Sequence, residues 1–375
     1  MRSSNETWSG ASLTLALASA VLGCAPAPAA PCGEVTLIVR TPLALRERQD
    51  VTRLFETAQA QHVTAMAILV KEDEDPNDIE TIPSGRAFYA SAIAPIAEGY
   101  EGFDVLAAAI EEGHARGIDV IAWIPQFHDA SAIARDASWS MGTLDPMGNV
   151  VPYVGAHGER FASPANDGAR AYERSIVLEV ADHYAVDGIN LDWIRYDGWP
   201  TGMDDATRLP YRAMYGVDPV DIDFTMASDE RERWRAYRAE IVASHVREIR
   251  MELDRAHSDV ALGAYILSPE WGELSQDASL FASALQTASP MSYFDDWGYQ
   301  PSWVWTQIVP ESESRVGPSV EVTPVLDEDW TDEQNAMVLS GLRESTPYVR
   351  RISWFAYGAW DDDLVRRLAP LRICR

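Results

Sequence analysis

Short apolar runs and amphipathic helical patterns alternate along most of this chain, and this alternation constrains the fold more than any other feature. Strands that alternate with helices pair in parallel, and eight such units close into a barrel. An open doubly wound sheet is the alternative, but it usually has a glycine-rich turn after its first strand, and none follows Val39. The sequence therefore predicts an α/β protein, a single-domain (β/α)8 TIM barrel. Its predicted strands are residues 35–39, 65–70, 120–124, 188–194, 260–267, 290–294, 320–326 and 351–356.

The predicted helices differ in how clearly their apolar residues repeat. The clearest follows an insertion rich in Gly, Pro and Asp at residues 197–228, and its apolar positions recur every three to four residues from Trp234 to Leu253. The other predicted helices are residues 45–61, 103–116, 172–184, 280–287, 331–344 and 363–371.

The first residues have the pattern of an export signal. The apolar run at residues 12–22 is too short to span a bilayer, and a small residue and Cys24 follow it. This pattern predicts a lipoprotein signal peptide at residues 1–23, a linker at 24–33 beginning with lipidated Cys24, and the barrel at 34–375. An ordinary secretory signal cut further along is the alternative. Both interpretations place the protein outside the cytoplasm, either anchored by lipid to the bacterial cell envelope or secreted.

Two further cysteines lie near the two ends of the predicted barrel. Cys32 precedes the first strand and Cys374 follows the last helix. The ends of a closed barrel lie near each other, so a disulfide formed after export is one interpretation, and two free thiols are the other.

The composition is strongly acidic. The chain has 58 Asp and Glu against 30 Lys and Arg, for a formal net charge of −28, and its one lysine is Lys71. Phosphate binding needs clustered cations, so this composition excludes nucleic acid as a partner. We expect contact with a membrane only through the lipid on Cys24, and the oligomeric state is left open.

The fourth predicted strand ends in a carboxylate. Side chains alternate along a strand, so Gly188, Asn190 and Asp192 share one face, and Asp192 points into the mouth of the barrel. Active sites of such barrels lie at the carboxyl ends of the strands. Asp192 is therefore a candidate catalytic residue, and the structural alternative is an ion pair with Arg195 or a cap on the next loop.

A second carboxylate follows the next strand. Glu270 lies on the same rim as Asp192, and two carboxylates flanking a glycosidic bond are what its hydrolysis requires. One protonates the leaving oxygen while the other attacks the anomeric carbon or activates water. Other acids compete with Glu270 for this role, namely Asp129, Asp295, Asp296, Asp327 and Glu328.

Tryptophans are concentrated at the predicted strand ends. The chain has 13 tryptophans, and the flat apolar faces of their rings suit stacking on sugar rings. Some of the 13 must pack in the core. As a set they favour a carbohydrate groove, and the candidates are Trp123, Trp193, Trp271, Trp297 and Trp354.

Metal and cofactor chemistry has little support. The seven histidines are scattered, with no pair at ligand spacing on one element. His128 and Asp129 fit polar rim groups better than metal ligands. We find no phosphate-binding glycine loop, nucleophile elbow or cysteine–histidine pair, so we expect no metal and no cofactor.

The segment DGINLDWIRYD at residues 187–197 resembles the fourth-strand motif of the family-10-like glycosyl hydrolases (the GHL10 group). The segments FDVLAAAIEEGHARGIDVIAWIPQF, FASPANDGARAY and ASPMSYFDDWG resemble other parts of that family in the same order. The resemblance implies a (β/α)8 barrel that acts on glycans, with cell-envelope members acting on peptidoglycan strands. Asp192 matches the acidic residue of the motif, and the other matched positions are Asn166, Asp187, Arg195 and Tyr196.

This chain departs from the family pattern at Asn190, where His is usual, and at Trp193. The preferred hypothesis is a glycosidase that acts on a glycan polymer, with Asp192 as nucleophile or base and Glu270 as general acid. A non-catalytic glycan-binding lipoprotein and a metal-dependent hydrolase are the alternatives. The predicted substrate-binding residues are Trp123, Asn166, Asn190, Trp193, Arg195, Tyr196, Trp271, Tyr293, Trp297 and Trp354.

Overall fold

The computed structural model describes residues 33–73, 82–327 and 330–356. Its main sheet is parallel throughout, and neighbouring strands follow one another in chain order. The strands are β1 (Glu34–Val39), β2 (Ala65–Leu69), β3 (Asp119–Pro125), β4 (Gly188–Asp192), β5 (Ala261–Ile266), β6 (Thr287–Pro290), β7 (Glu321–Val322 and Val325–Asp327) and β8 (Arg351–Ala356).

The two segments of β7 close the sheet into a barrel. The first segment pairs with β6 and the second with β8, while β8 pairs with β1. Between the segments, the Thr323 amide donates to the Ala288 carbonyl at 2.9 Å, and the Pro324 carbonyl accepts from the Ser353 amide at 2.9 Å. Pro324 has no amide proton to add to the ladder. The predicted single-domain (β/α)8 barrel is therefore confirmed.

Helices connect most successive strands. The longest begins after Ser228, whose side chain accepts from the Arg231 amide, and it buries the apolar face predicted around Trp234. A small antiparallel hairpin, Gly142–Leu144 with Val150–Pro152, projects from the segment between β3 and β4. The α-helices are Thr41–Ala44, Arg48–Ala60, Val105–Arg116, Ala130–Arg135, Asp167–His183, Asp205–Tyr215, Asp229–Ala256, Val309–Val316 and Asp332–Ser345, and a π-helical turn spans Val304–Ile308.

The sequence prediction around the sixth strand is wrong. Residues 280–287 are not an α-helix, because the segment forms 3-10 turns at Ala278–Leu280 and Ala282–Ala284 and then enters β6. The strand also begins earlier than the predicted residues 290–294. The sequence of β6 is Thr-Ala-Ser-Pro, which lacks the bulky apolar residues that usually identify a buried strand.

Other differences concern helix bounds. The helix predicted at residues 172–184 begins earlier, at Asp167, and the insertion contains the helix Asp205–Tyr215. The signal peptide, Cys24, Cys32, Cys374 and the predicted helix at 363–371 lie outside the described residues. Within the described part of the chain, no helix is long and apolar enough to cross a membrane.

The barrel interior below the strand ends is packed around Gly263 of β5. A Cβ atom there would lie 2.0 Å from Asn190 Oδ1 and 2.1 Å from Thr287 Oγ1. Glycine is therefore required for the Asn190 side chain to fill the interior at this level. The interior is closed beneath the carboxyl ends of the strands, and open space begins above it.

Candidate active site

A cavity of about 390 Å³ opens at the carboxyl ends of the barrel strands. Its lining combines aromatic and charged side chains, and residues adjoining seven of the eight strands contribute. The aromatic residues are Trp123, Trp193, Tyr265, Trp271, Tyr293, Trp297 and Phe355, and the charged residues are Arg40, Asp73, Asp192, Arg195 and Asp197.

Asp192 is the last residue of β4 and is 8% exposed. Its Oδ2 accepts a hydrogen bond from Trp123 Nε1 at 3.0 Å, and its Oδ1 accepts one from the Trp193 amide at 2.7 Å. Burial raises the pKa of Asp192 to about 7, and the negative charge of Asp73 adds to the shift. At neutral pH this carboxyl is therefore protonated in a large fraction of molecules.

Asp73 is the second carboxylate of the cavity and follows β2. It is 5% exposed, its Oδ1 lies 2.8 Å from Arg40 Nη1, and its Oδ2 accepts from Trp193 Nε1 at 3.0 Å. Burial opposes the ionisation of Asp73, but the charge of Arg40 and the other favourable contacts outweigh burial and lower its pKa. At neutral pH Asp73 is thus ionised, whereas Asp192 is protonated in a large fraction of molecules.

Trp193 contacts both carboxylates. Its backbone amide donates to Asp192 and its indole N–H donates to Asp73, so both carboxyl groups are held by the same residue. The residue has a φ of 53°, a left-handed conformation that is unfavourable for tryptophan. The guanidinium of Arg195 lies 4.2 Å from the centre of its ring. Such a backbone conformation persists only where the surroundings hold it, and it is typical of functional sites.

Arg195 forms an ion pair with Asp197, four residues after Trp193. Asp197 also accepts a hydrogen bond from the Tyr153 hydroxyl at 2.5 Å. Burial opposes the ionisation of Asp197, but Arg195 and Tyr153 outweigh burial and lower its pKa. Among the described ion pairs, Arg195 has Asp197 and not Asp192 as its partner. Among the described ion pairs the alternative of an Arg195 partner for Asp192 is therefore not present, whereas the alternative of a cap is, since Asp192 accepts from the first amide of the loop that follows β4.

A second charged cluster lies behind the cavity, centred on Lys71. Its Nζ lies 2.5 Å from Glu173 Oε2 and 2.8 Å from Asp129 Oδ2, and it donates to the Gln126 carbonyl at 3.2 Å. All three charged side chains are fully buried. Burial raises the pKa of Glu173 well above its ordinary value, although Lys71 acts in the opposite direction. This cluster anchors the chain two residues before Asp73.

His128 is buried between two aromatic rings. It stacks on Phe161 with ring centres 4.7 Å apart and meets Trp193 edge-on at 4.5 Å, and neither ring nitrogen has a hydrogen-bond partner among the described residues. Burial lowers the pKa of His128 to about 4, so the ring is neutral at physiological pH. His128 is thus a packing residue behind Trp193 in this structure.

Comparison with known proteins identifies the family. A family model described as Glycosyl hydrolase-like 10 matches residues 51–303. The chain belongs to this glycosyl hydrolase-like family. The resemblance inferred from the DGINLDWIRYD segment is therefore confirmed.

Two curated proteins are similar to this chain at low sequence identity. The Glycosyl hydrolase YngK of Bacillus subtilis (strain 168) is 23% identical over 309 residues, which cover 76% of this chain and 53% of that protein. An S-layer-related protein of Niallia circulans is 24% identical over 250 residues, which cover 58% of this chain and 15% of that protein. The chain thus spans about half the length of the first relative and a smaller part of the second.

A solved structure shares the fold. The PgaB (BpsB) glycoside hydrolase domain from Bordetella bronchiseptica matches with a TM-score of 0.70 and 13% identity, over 92% of this chain and 99% of that chain. At this identity the likeness shows the barrel fold alone.

In this glycosyl hydrolase-like barrel, the predicted site residues fall into two groups. One group lines the cavity, and the other packs elsewhere. The cavity group is Trp123, Asp192, Trp193, Arg195, Trp271, Tyr293 and Trp297.

Glu270 does not line the cavity. It is exposed on the rim, where its Oε1 accepts a hydrogen bond from the Tyr299 hydroxyl at 2.6 Å and its Oε2 lies 3.4 Å from Gln307 Nε2. The next residue, Trp271, turns inward instead. The carboxylates that share the cavity with Asp192 are Asp73 and Asp197.

Four predicted binding residues have structural positions outside the cavity lining. Asn166 caps the helix Asp167–His183 by accepting from the amides of its first turn. Asn190 fills the barrel interior beside Gly263. Tyr196 is buried under the Arg238 guanidinium, and Trp354 is fully buried while its neighbour in β8, Phe355, lines the cavity.

Arg40, Asp73 and Asp197 are the charged cavity residues that sequence reasoning missed. Arg40 follows β1 directly, and Lys71, Glu72 and Asp73 follow β2. The available signal was the same one that singled out Asp192, namely charged residues at the end of an apolar strand.

A group of acids outside the cavity lining also deserves comparison with a metal site. Carboxylate oxygens of Asp295, Asp296 and Asp327 lie within 4.8 Å of one another. One of these acids, Asp295, accepts a hydrogen bond from Trp330 Nε1 at 2.7 Å. Exposed acids are often grouped in this way without an ion, and we assign no metal to them.

Proposed function

We propose that this protein is a glycoside hydrolase in which Asp192 is the general acid and Asp73 the ionised partner. The observation that carries the proposal is the pair itself. Two buried carboxylates share one cavity, both are hydrogen-bonded to Trp193, and their pKa values are shifted in opposite directions. Carboxyl groups whose environments separate their pKa values are how glycosidases assign acid and base roles.

The proposed reaction uses the proton that burial retains on Asp192, so the proposed role of Asp192 differs from the role of nucleophile or base expected from the sequence. Asp192 transfers it to the glycosidic oxygen as the bond from that oxygen to the anomeric carbon breaks. Asp73 either attacks the anomeric carbon, to be displaced later by water, or removes a proton from the water that attacks it. The choice depends on the separation of the two carboxyl groups when substrate is bound. Arg40 keeps Asp73 ionised by lying 2.8 Å from its Oδ1.

The aromatic lining supports a glycan as substrate. Trp271 and Trp297 meet at 4.4 Å with their planes at 80°, and Tyr293 lies 5.3 Å from Trp297. These rings offer flat apolar surface beside the charged groups, which suits the faces of sugar rings. We propose peptidoglycan glycan strands or a related cell-envelope polysaccharide, since the signal at residues 1–23 predicts export and a lipid on Cys24.

The test is glycan release from purified peptidoglycan and a panel of polysaccharides, comparing the wild type with Asp192→Asn and Asp73→Asn. We expect both substitutions to lower the rate by about a thousandfold or more, because each removes one of the two carboxylates that bond cleavage requires. Asp259→Asn is the matched control, since Asp259 is exposed and precedes β5 at the other end of the barrel.

Each outcome assigns a role. Release by the wild type and by Asp259→Asn, lost in both site variants, supports the proposal and names the substrate. Binding of a glycan by all four proteins without release by any would replace it with a non-catalytic glycan-binding function. Release that survives in Asp73→Asn would remove Asp73 from the mechanism.

A further inference from the structure

A continuous series of aromatic rings leads from the cavity to the exposed rim. Trp297 lines the cavity and contacts Trp271 at 4.4 Å and Trp303 at 5.9 Å between ring centres. Trp303 then stacks on Tyr299 at 4.4 Å with the two rings nearly parallel. Trp303 is buried, whereas Trp271, Trp297 and Tyr299 are partly exposed. The wall of the cavity therefore extends outward beyond the volume that the cavity encloses.

A polar group lies at the outer end of this series. The Tyr299 hydroxyl donates to Glu270 Oε1 at 2.6 Å, and Gln307 Nε2 lies 3.4 Å from Glu270 Oε2. The Ser268 hydroxyl lies 3.3 Å from Oε1. The hydrogen bond to Glu270 raises the pKa of Tyr299, so the phenol keeps its proton and the carboxylate keeps its partner. Glu270 is exposed, yet these contacts fix its orientation.

We propose that Glu270, Tyr299 and Gln307 form an outer subsite that binds a sugar unit of the same glycan chain, next to the unit held in the cavity. This inference rests on the proposed function. It deepens that function, because it makes the protein select for chains longer than the cavity alone can hold.

The chemistry of the group fits a neutral sugar unit. An ionised carboxylate accepts hydrogen bonds from sugar hydroxyls, and bonds to a charged acceptor are stronger than bonds between neutral groups. Because Tyr299 and Gln307 already orient Glu270, less side-chain entropy is lost when the sugar binds. Trp271 and Trp297 provide the apolar surface that a chain crosses between the cavity and Glu270.

The test uses a ladder of oligosaccharides, from disaccharide to hexasaccharide, cut from the polymer that the wild type degrades or, failing that, binds. Glu270→Gln and Gln307→Ala are compared with the wild type by KM or Kd at each length. We expect each variant to weaken the interaction with the longest oligosaccharides by about tenfold, a loss of about 1.4 kcal/mol, and with the disaccharide by less than about twofold.

Two controls separate this role from a structural one. Glu273→Gln makes the same change three residues further along the same loop and should leave every length unaffected. Tyr299→Phe keeps the ring stacked on Trp303 but removes the hydroxyl that orients Glu270, so it should reproduce part of the Glu270→Gln effect.

The possible failures are distinguishable. A wild type that neither cuts nor binds any polymer of the panel overturns the proposed function, and this inference with it. A wild type that is active, with Glu270→Gln losing no more on long than on short oligosaccharides, overturns the outer subsite alone. Loss of kcat at every length in Glu270→Gln would make Glu270 part of the catalytic machinery and would also overturn this subsite.

Discussion

Two groups of buried charges adjoin the end of β2, and only one of them faces open space. Lys71 lies between Glu173 and Asp129 with all three side chains excluded from solvent. Two residues later, Asp73 pairs with Arg40 and lines the cavity. Both groups are buried, and both contain carboxyl groups with shifted pKa values. A perturbed pKa therefore does not identify a functional site unless a substrate can reach the group.

The Lys71 cluster also differs from Asp192, which lines the cavity together with Asp73, in how well its charges are balanced. Lys71 has two carboxylates and a backbone carbonyl around it, so its ammonium is fully satisfied. Asp192 has no cation of its own among the described ion pairs, and its two hydrogen-bond donors leave its pKa at about 7. The Lys71 cluster stabilises the fold. Asp192 instead lies in an environment that is unfavourable for its ionised form, which catalysis can use.

Removing Lys71 should have the largest effect on stability. Lys71→Met leaves the Asp129 and Glu173 carboxyls buried without their cation, and breaking such a buried group typically costs about 3–5 kcal/mol. We expect a correspondingly lower free energy of unfolding in urea, with a lower Tm.

Arg48→Met is the matched control for Lys71→Met. Arg48 also lies near two carboxylates, Glu111 at 2.8 Å and Glu112 at 3.4 Å, but on the surface. Its loss should cost less than about 1 kcal/mol. Equal losses in the two variants would show that the Lys71 cluster contributes no more than an exposed ion pair.

Removing Asp192 should act in the opposite direction. The folded protein holds the pKa of Asp192 at about 7, above the ordinary value of 3.8. A raised pKa means that the stability contributed by the protonated form is complete below the unfolded pKa and is lost as pH rises through about 7. Above that pH the buried carboxylate costs on the order of a few kcal/mol.

Asp192→Asn should therefore unfold at a higher urea concentration than the wild type at pH 8, with the difference shrinking as pH falls towards 4. The amide keeps the shape of the side chain and carries no charge. Asp259→Asn should show no such pH-dependent gain. A site variant that is less stable than the wild type at pH 8 would contradict the unfavourable environment assigned to Asp192.

The barrel could be predicted from sequence because most of its strands are apolar runs between helical patterns. β6 was misplaced because Thr287 to Pro290 carry little apolar bulk. The sequence also could not predict which side chains of β8 point into the cavity. Both faces of a barrel strand are buried, so polarity does not show that Phe355 points into the cavity and Trp354 points away from it.

The candidate site was partly predictable. Asp192 ends a strand whose alternation is plain, and it lines the cavity. Glu270 and Asp73 both lie beyond the ends of their strands, in segments where alternation no longer fixes direction. Only the folded chain shows that Asp73 turns towards Trp193 while Glu270 turns towards Tyr299.

The smallest expected effect concerns pH and activity. If Asp192 must donate a proton, kcat/KM falls as pH rises above about 7, by about tenfold per pH unit, because the acid form is lost. Because the pKa of Asp73 is lowered, its carboxylate is retained on the acid side of the profile, and we expect no acid limb from Asp73 between pH 7 and pH 5. The measurement is kcat/KM from pH 4 to pH 9, with circular dichroism at each pH to show that the protein stays folded.

The alkaline limb can also be assigned without turnover. Asp73 contributes to the raised pKa of Asp192 through its negative charge, so Asp73→Asn should lower the pKa of Asp192 in a carbon-13 NMR titration of its carboxyl group. Asp259→Asn should leave it unchanged. Constant activity from pH 7 to pH 9 in folded protein would exclude Asp192 as the acid. An Asp192 pKa that Asp73→Asn does not lower would show that burial alone sets it, and the two carboxyl groups would then titrate independently.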